Sequence, residues 1–218
     1  MHMHLTQAGF VLAMSLAAGA ASAAINPQDI EVTGTIKTPT CAVTASEDGE
    51  YDYGKINNSL IPTTGHLVLS TKSQTWTVDC GTASTYLGFR VVDNQSGSES
   101  TVSATNFGLG KVTGYPGSKI GYFNVGLSNA RVDGTARNIL RAAPGAASGT
   151  AAATGPMDKT LSHTWASGTT SAVPLAGSVF VMDMAVTANI ANETLRGAPV
   201  TEGTPISGNV ILSYSFGL

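Results

Sequence analysis

Gly208-Asn209-Val210-Ile211-Leu212-Ser213-Tyr214-Ser215-Phe216-Gly217-Leu218 decides how this chain is read. Val210, Leu212, Tyr214 and Phe216 recur at every second position, so an extended strand puts all four on one face. Apart from the terminal carboxylate the stretch carries no charge, whereas most chains taper into a polar tail that can fray. The pattern predicts a last strand that sits in the core. Such an apolar strand is an aggregation hazard unless something pairs with it or caps it. The sequence therefore expects a partner for this strand.

The same period of two recurs upstream. It is carried by Ile30, Val32 and Ile36, then Trp76, Val78 and Cys80, then Leu87, Phe89 and Val91. Phe123, Val125 and Leu127 repeat it, as do Phe180, Met182, Met184 and Val186. These runs predict half-buried antiparallel strands. Turn signals lie between them at Glu47-Asp48-Gly49, Asp93 to Gly97, Val132-Asp133-Gly134 and Ala198-Pro199. The acidic residues from Glu47 to Asp52 read as a hairpin tip, and Phe107 to Lys111 as a tight turn. No segment keeps a helical period over three turns, although Ala136 to Ala143 has room for one short turn. From Ala142 to Pro156 the chain is only Ala, Gly, Ser, Thr and Pro, with no large side chain, which predicts a flexible surface loop between strands. The expectation is one all-β domain.

At the other end, Ala8 to Gly19 is an apolar run followed by Ala21-Ser22-Ala23, the small-x-small pattern of a signal-peptide cleavage site. Residues 1–23 read as a signal peptide, with His2 and His4 where Lys or Arg is usual. That expectation leaves about 195 residues in an exported mature protein, enough for one β domain. The apolar run is too short for a bilayer span, and no later one is longer, so no integral membrane segment is expected. The leader has no Asp, Glu, Lys or Arg, so the net charge of -3 belongs to the rest. Weak acidity without a basic cluster argues against nucleic acid as a partner and against anionic membranes. Cys41 and Cys80 are the only cysteines, and in an exported chain such a pair predicts one structural disulfide.

Catalytic patterns are missing. Gly126-Leu127-Ser128-Asn129-Ala130 lacks the last glycine of a nucleophile elbow and begins inside a strand pattern. Phe107-Gly108-Leu109-Gly110-Lys111 lacks the upstream glycine and the Ser or Thr of a phosphate loop. His66 and His163 are far apart with no second ligand at metal spacing, and both read as surface residues. No enzyme, metal or cofactor is expected. Trp165 has two readings, a core residue or an exposed ligand platform, and the core is favoured.

Taken in order, Val32-Thr33-Gly34-Thr35-Ile36 leads to Pro39 and Cys41, then come Tyr53-Gly54-Lys55-Ile56, Cys80 at the end of a strand, Phe107 to Gly110, and the alternating C-terminus. This order resembles the fimbrial (pilin) subunits of the chaperone-usher type, and most of all a fimbrial-like branch with a Val-Thr-Gly-x-Ile-x-Pro-x-Cys opening. Here that opening has one extra residue before Pro39. The resemblance implies an immunoglobulin-like antiparallel β-sandwich that lacks one strand and is completed by a donor strand, a case of β-strand addition. It also implies export through the periplasm to a surface fimbrium. The implied partners are a periplasmic chaperone, an outer-membrane usher and other fimbrial subunits.

On this reading residues 24–33 form a donor-strand extension, with Ile25, Ile30 and Val32 as its apolar residues, and residues 34–218 form the sandwich. Val210, Leu212, Tyr214, Phe216 and Leu218 would contact the chaperone. A second reading makes residues 25–32 the outer half of the domain's own first strand. A surface adhesin or minor tip or adaptor subunit that binds host glycan or protein is the alternative function, with Trp165, Tyr115 and the loop from Asp93 to Ser103 as candidate contacts.

Overall fold

The structure, a computed structural model, describes residues 38–200 and 202–216. The expected signal peptide, the donor residues Ile25, Ile30 and Val32, and the C-terminal Leu218 lie outside the described residues. In chain order the strands are β1 (Ala42–Ala45), β2 (His66–Val68), β3 (Lys72–Asp79), β4 (Thr85–Asp93) and β5 (Phe107–Gly108). They continue with β6 (Gly121–Val132), β7 (Thr135–Ala136), β8 (Asn138–Ala142), β9 (Thr150–Ala152) and β10 (Gly155–Pro156). The last are β11 (Ser162–Ser167), β12 (Val173–Pro174), β13 (Ala176–Gly177), β14 (Val179–Ala191) and β15 (Val210–Phe216). One short helix, α1 (Glu193–Arg196), is capped by the Asn192 side chain, which accepts from the Leu195 N–H, and ends at Gly197 with φ 73°.

The strands form two antiparallel sheets, as the alternating patterns predict. The first runs β1-β3-β14-β6-β10, with β2 on β14 and β5 and β7 on β6. The second runs β13-β4-β11-β8-β9, with β12 on β11 and β15 on β4. The long central strands β6 and β14 pair from Phe180↔Val132 to Ile190↔Gly121, with a bulge between Val181 and Asp183. Their inward residues, including Phe123, Leu127, Phe180 and Met182, meet Leu87, Phe89 and Trp165 of the other sheet in one core. Burying each of these large side chains stabilises the fold by about 1.5–3 kcal/mol.

Cys41 and Cys80 are bonded, with the sulfurs 2.01 Å apart. Cys41 immediately precedes β1 and Cys80 follows β3, and the Ala42↔Asp79 pairing carries the two strands up to the bridge. The disulfide therefore clips neighbouring strands of one sheet. Closing a loop of about 40 residues contributes roughly 4 kcal/mol on the chain-entropy model.

Four local expectations change. The segment proposed for a helical turn contains strand β8, where Ile139 packs into the main core and Leu140 into a small cluster with Ala151, Ala166 and Ala172. Both faces of β8 are thus apolar, which hides the period of two. The segment expected to be a flexible loop contributes β9 and β10, paired to β8 and β6. Its small residues fit a tight contact, since a Cβ on Gly149 would lie 3.0 Å from Leu140 Cδ1. Phe107 and Gly108 form β5, and a Cβ on Gly108 would overlap Gln95 O at 2.2 Å. The residues from Glu47 are not a hairpin tip. Glu47, Asp48 and Gly49 all have positive φ, and this left-handed turn leads from β1 into an extended segment that joins no ladder.

Candidate functional site

Strand β15 lies at an edge. It pairs antiparallel with β4 from Val210↔Asp93 to Phe216↔Leu87, and the other side of β4 is taken by β11 and β13. Among the described residues no strand pairs with the far edge of β15. Val210, Leu212 and Tyr214 are half-buried and pack against the core, while Ser213 and Ser215 are exposed. The expected core placement thus reduces to half-burial, and Phe216 is 42 % exposed. The Tyr214 ring lies 5.6 Å from that of Phe89. Burial pushes its phenol up to about 12.

Across from β15 runs the segment after the left-handed turn, residues 50–57. Tyr51, Tyr53 and Ile56 pack inward on the core. Side chains hold this segment in place of a ladder. Tyr51 Oη donates to Met184 O (3.0 Å), Tyr53 Oη to Val186 O (2.9 Å), and Trp76 Nε1 to Tyr51 Oη (3.2 Å). Gln74 Nε2 donates to Glu50 O at 2.5 Å.

Between these two rims lies a groove of about 1160 Å³. Its floor is apolar and includes the buried core residues Leu109, Phe123, Val125, Met157, Met184 and Val186. The groove has two properties that suit an extended peptide. One rim offers an unpaired ladder edge, and the floor offers apolar contact for alternate side chains.

The end of the groove where β15 begins is built on a buried ion cluster that sequence reasoning missed. Lys159 Nζ lies 2.5 Å from Glu99 Oε1 and 3.7 Å from Asp93 Oδ2, and donates to Asn106 O at 2.6 Å. Asp93 accepts from the Gln95 and Gly108 N–H groups, and Glu99 from that of Gly97. Burial raises the Asp93 carboxyl above its usual range. Burial also pushes Glu99 up, but Lys159 and the backbone donors outweigh it and hold that carboxyl low. The cluster ties the end of β4 to the loop that carries Leu109, and Ser207 N–H in turn donates to Leu109 O. Nothing in the sequence marks these residues, because they lie 60 or more positions apart in pairs such as Glu99 and Lys159.

The other residues singled out in the sequence do not converge. Trp165 is 2 % exposed, with Nε1 donating to Val181 O at 2.7 Å, so the core reading holds and it offers no platform. His163 is fully buried rather than at the surface, because in β11 it lies opposite Phe89 of β4 and stacks on its ring. His66 pairs with Ser100 Oγ at 2.8 Å. Tyr115 is 46 % exposed. Gly126 to Ser128 lie inside β6. Among the described residues no group of three or more His, Cys, Asp or Glu side chains could hold a metal, and no helix is long and apolar enough to cross a membrane. No protein-family model matches the chain, and no curated protein matches it.

Proposed function

We propose that the protein is a structural subunit of a surface fimbria, an immunoglobulin-like sandwich completed by a strand from another polypeptide. The groove carries this reading. A β-sandwich with a groove beside an edge strand that pairs with no other described strand on its far side has a place for one more strand, and a strand lying there would bond to β15 while its alternate side chains pack on the groove's apolar lining. In this reading a periplasmic chaperone fills the groove first, an outer-membrane usher receives the complex, and the extension of the next subunit then replaces the chaperone. Residues 24–33 would serve the same purpose for a neighbour. The adhesin alternative loses its main contact, since Trp165 is in the core.

Capture by the cognate periplasmic chaperone tests the proposal. Tyr214 packs inward against Phe89 and Ser213 is exposed, so Tyr214→Glu places a charge against apolar surface while Ser213→Glu does not. Co-purification should be lost for Tyr214→Glu and retained for Ser213→Glu. Unchanged capture of the Tyr214 variant overturns the assignment.

A further inference from the structure

We infer that the groove selects an extended segment of a different protein, one whose outward side chains are basic, over a second copy of this chain. The inference rests on the strand-acceptor reading above and concerns which strand is accepted. Along residues 50–57 the half-buried Tyr51 and Tyr53 alternate with exposed Glu50 and Asp52, so these two carboxylates stand on the solvent side of that rim. Asp48 and Glu202 also line the groove, against a single basic residue, Lys55. None of the four acids is in an ion pair with a described residue, since the ion pairs there all belong to Lys159. The outward residues of the opposite rim, Ile211, Ser213 and Ser215, are uncharged. Among the described residues the basic groups beside these four acids are Lys55 and Lys72, whose Nζ lies 5.7 Å from the centre of the Tyr53 ring, so the acids remain in excess.

A strand inserted between the rims sends alternate side chains to the floor and to solvent. Its solvent-side residues come within about 5 Å of their cross-strand neighbours. The chain's own extension reads Ala24-Ile25-Asn26-Pro27-Gln28-Asp29-Ile30-Glu31-Val32-Thr33. With Ile30 and Val32 on the floor, Asp29 and Glu31 point outward on the same solvent side as Glu50 and Asp52, and like charges gathered at one rim repel each other. With the parity reversed, both carboxylates are driven onto Leu109, Phe123 and their neighbours, which is costlier still. Residues 24–28 alone avoid both penalties, but they are short and Pro27 has no N–H to give the ladder. A segment with Lys or Arg at the outward positions turns the same repulsion into attraction.

The test uses the full chain, disulfide intact, titrated with two fluorescent peptides. One has the sequence of residues 24–33, and the other is the same peptide with Asp29→Lys and Glu31→Lys. At low ionic strength the doubly substituted peptide should bind about tenfold tighter, and the gap should narrow to about threefold or less in 0.5 M salt as screening takes effect. Glu50→Lys with Asp52→Lys in the protein should reverse the order. Equal binding of the two peptides, or tighter binding of the unsubstituted one, overturns the selectivity while leaving the strand-acceptor reading in place. Binding of neither peptide brings down both.

Discussion

His163 stacks on Phe89 with ring centroids 5.1 Å apart, and its Nε2 accepts the Asp158 N–H at 3.1 Å, so Nδ1 carries the proton of a neutral ring. Burial pulls its pKa down to about 4 from the ordinary 6.5. Because the folded value lies below the unfolded one, the unfolded chain binds the extra proton first. The neutral ring therefore stabilises fully above pH 6.5, and that contribution is lost as the pH falls towards 4. At about 1.4 kcal/mol per pH unit the loss reaches roughly 2–3 kcal/mol by about pH 4.5. Urea unfolding of the native chain and of His163→Gln at pH 7 and pH 4.5 should show a pH-dependent loss smaller by that amount in the variant. Identical slopes would mean that His163 titrates as an exposed group does. Its burial was not legible because Ser162-His163-Thr164-Trp165 has polar residues at three of four positions, and the apolar neighbour, Phe89, comes from a different strand.

At the scale of elements, the ion cluster shows how a loop is fixed without regular structure. Lys159 stands between Asp93 and Glu99, whose side chains are almost wholly buried, so Lys159→Met leaves two carboxylates facing each other with no cation. Removing one partner of a buried pair typically costs 3–5 kcal/mol. Because Lys159 keeps some solvent contact, a loss of about 3 kcal/mol is expected at neutral pH, partly restored by adding Glu99→Gln. Denaturant titration of the single and double variants measures both, and a loss below about 1 kcal/mol in the single variant would show that water already screens the cluster. Elements that bury one face were readable in advance. The alternations at Leu87 to Val91, Phe123 to Leu127 and Phe180 to Val186 each fall in the strand they predict. Elements that bury both faces or neither were not: β8 has Ile139 and Leu140 inward on opposite sides, and β9 has only small residues. The groove was half legible. Its β15 rim follows from the C-terminal alternation, but the other rim alternates only over Tyr51 and Tyr53 before Gly54, with φ 61°, breaks the pattern.

For the whole molecule, the question is whether residues 24–32 complete this sandwich or another one. The described core begins at Cys41 and draws on both sheets, and a groove runs beside β15 over residues of that core. A chain that needed residues 24–32 for its own core would lose stability when they are removed. A chain that lends them to a neighbour would lose only the ability to cap that neighbour. Export of a variant that lacks residues 24–32 but keeps residues 1–23 separates the two. If the protein is the proposed fimbrial subunit, the truncated form should make the Cys41–Cys80 bond, co-purify with a periplasmic chaperone and accept a strand in its groove. It should fail to join a fibre behind another subunit, because it has no extension with which to fill that subunit's groove. Fibres of normal length containing the truncated protein would assign residues 24–32 to the outer half of the first strand.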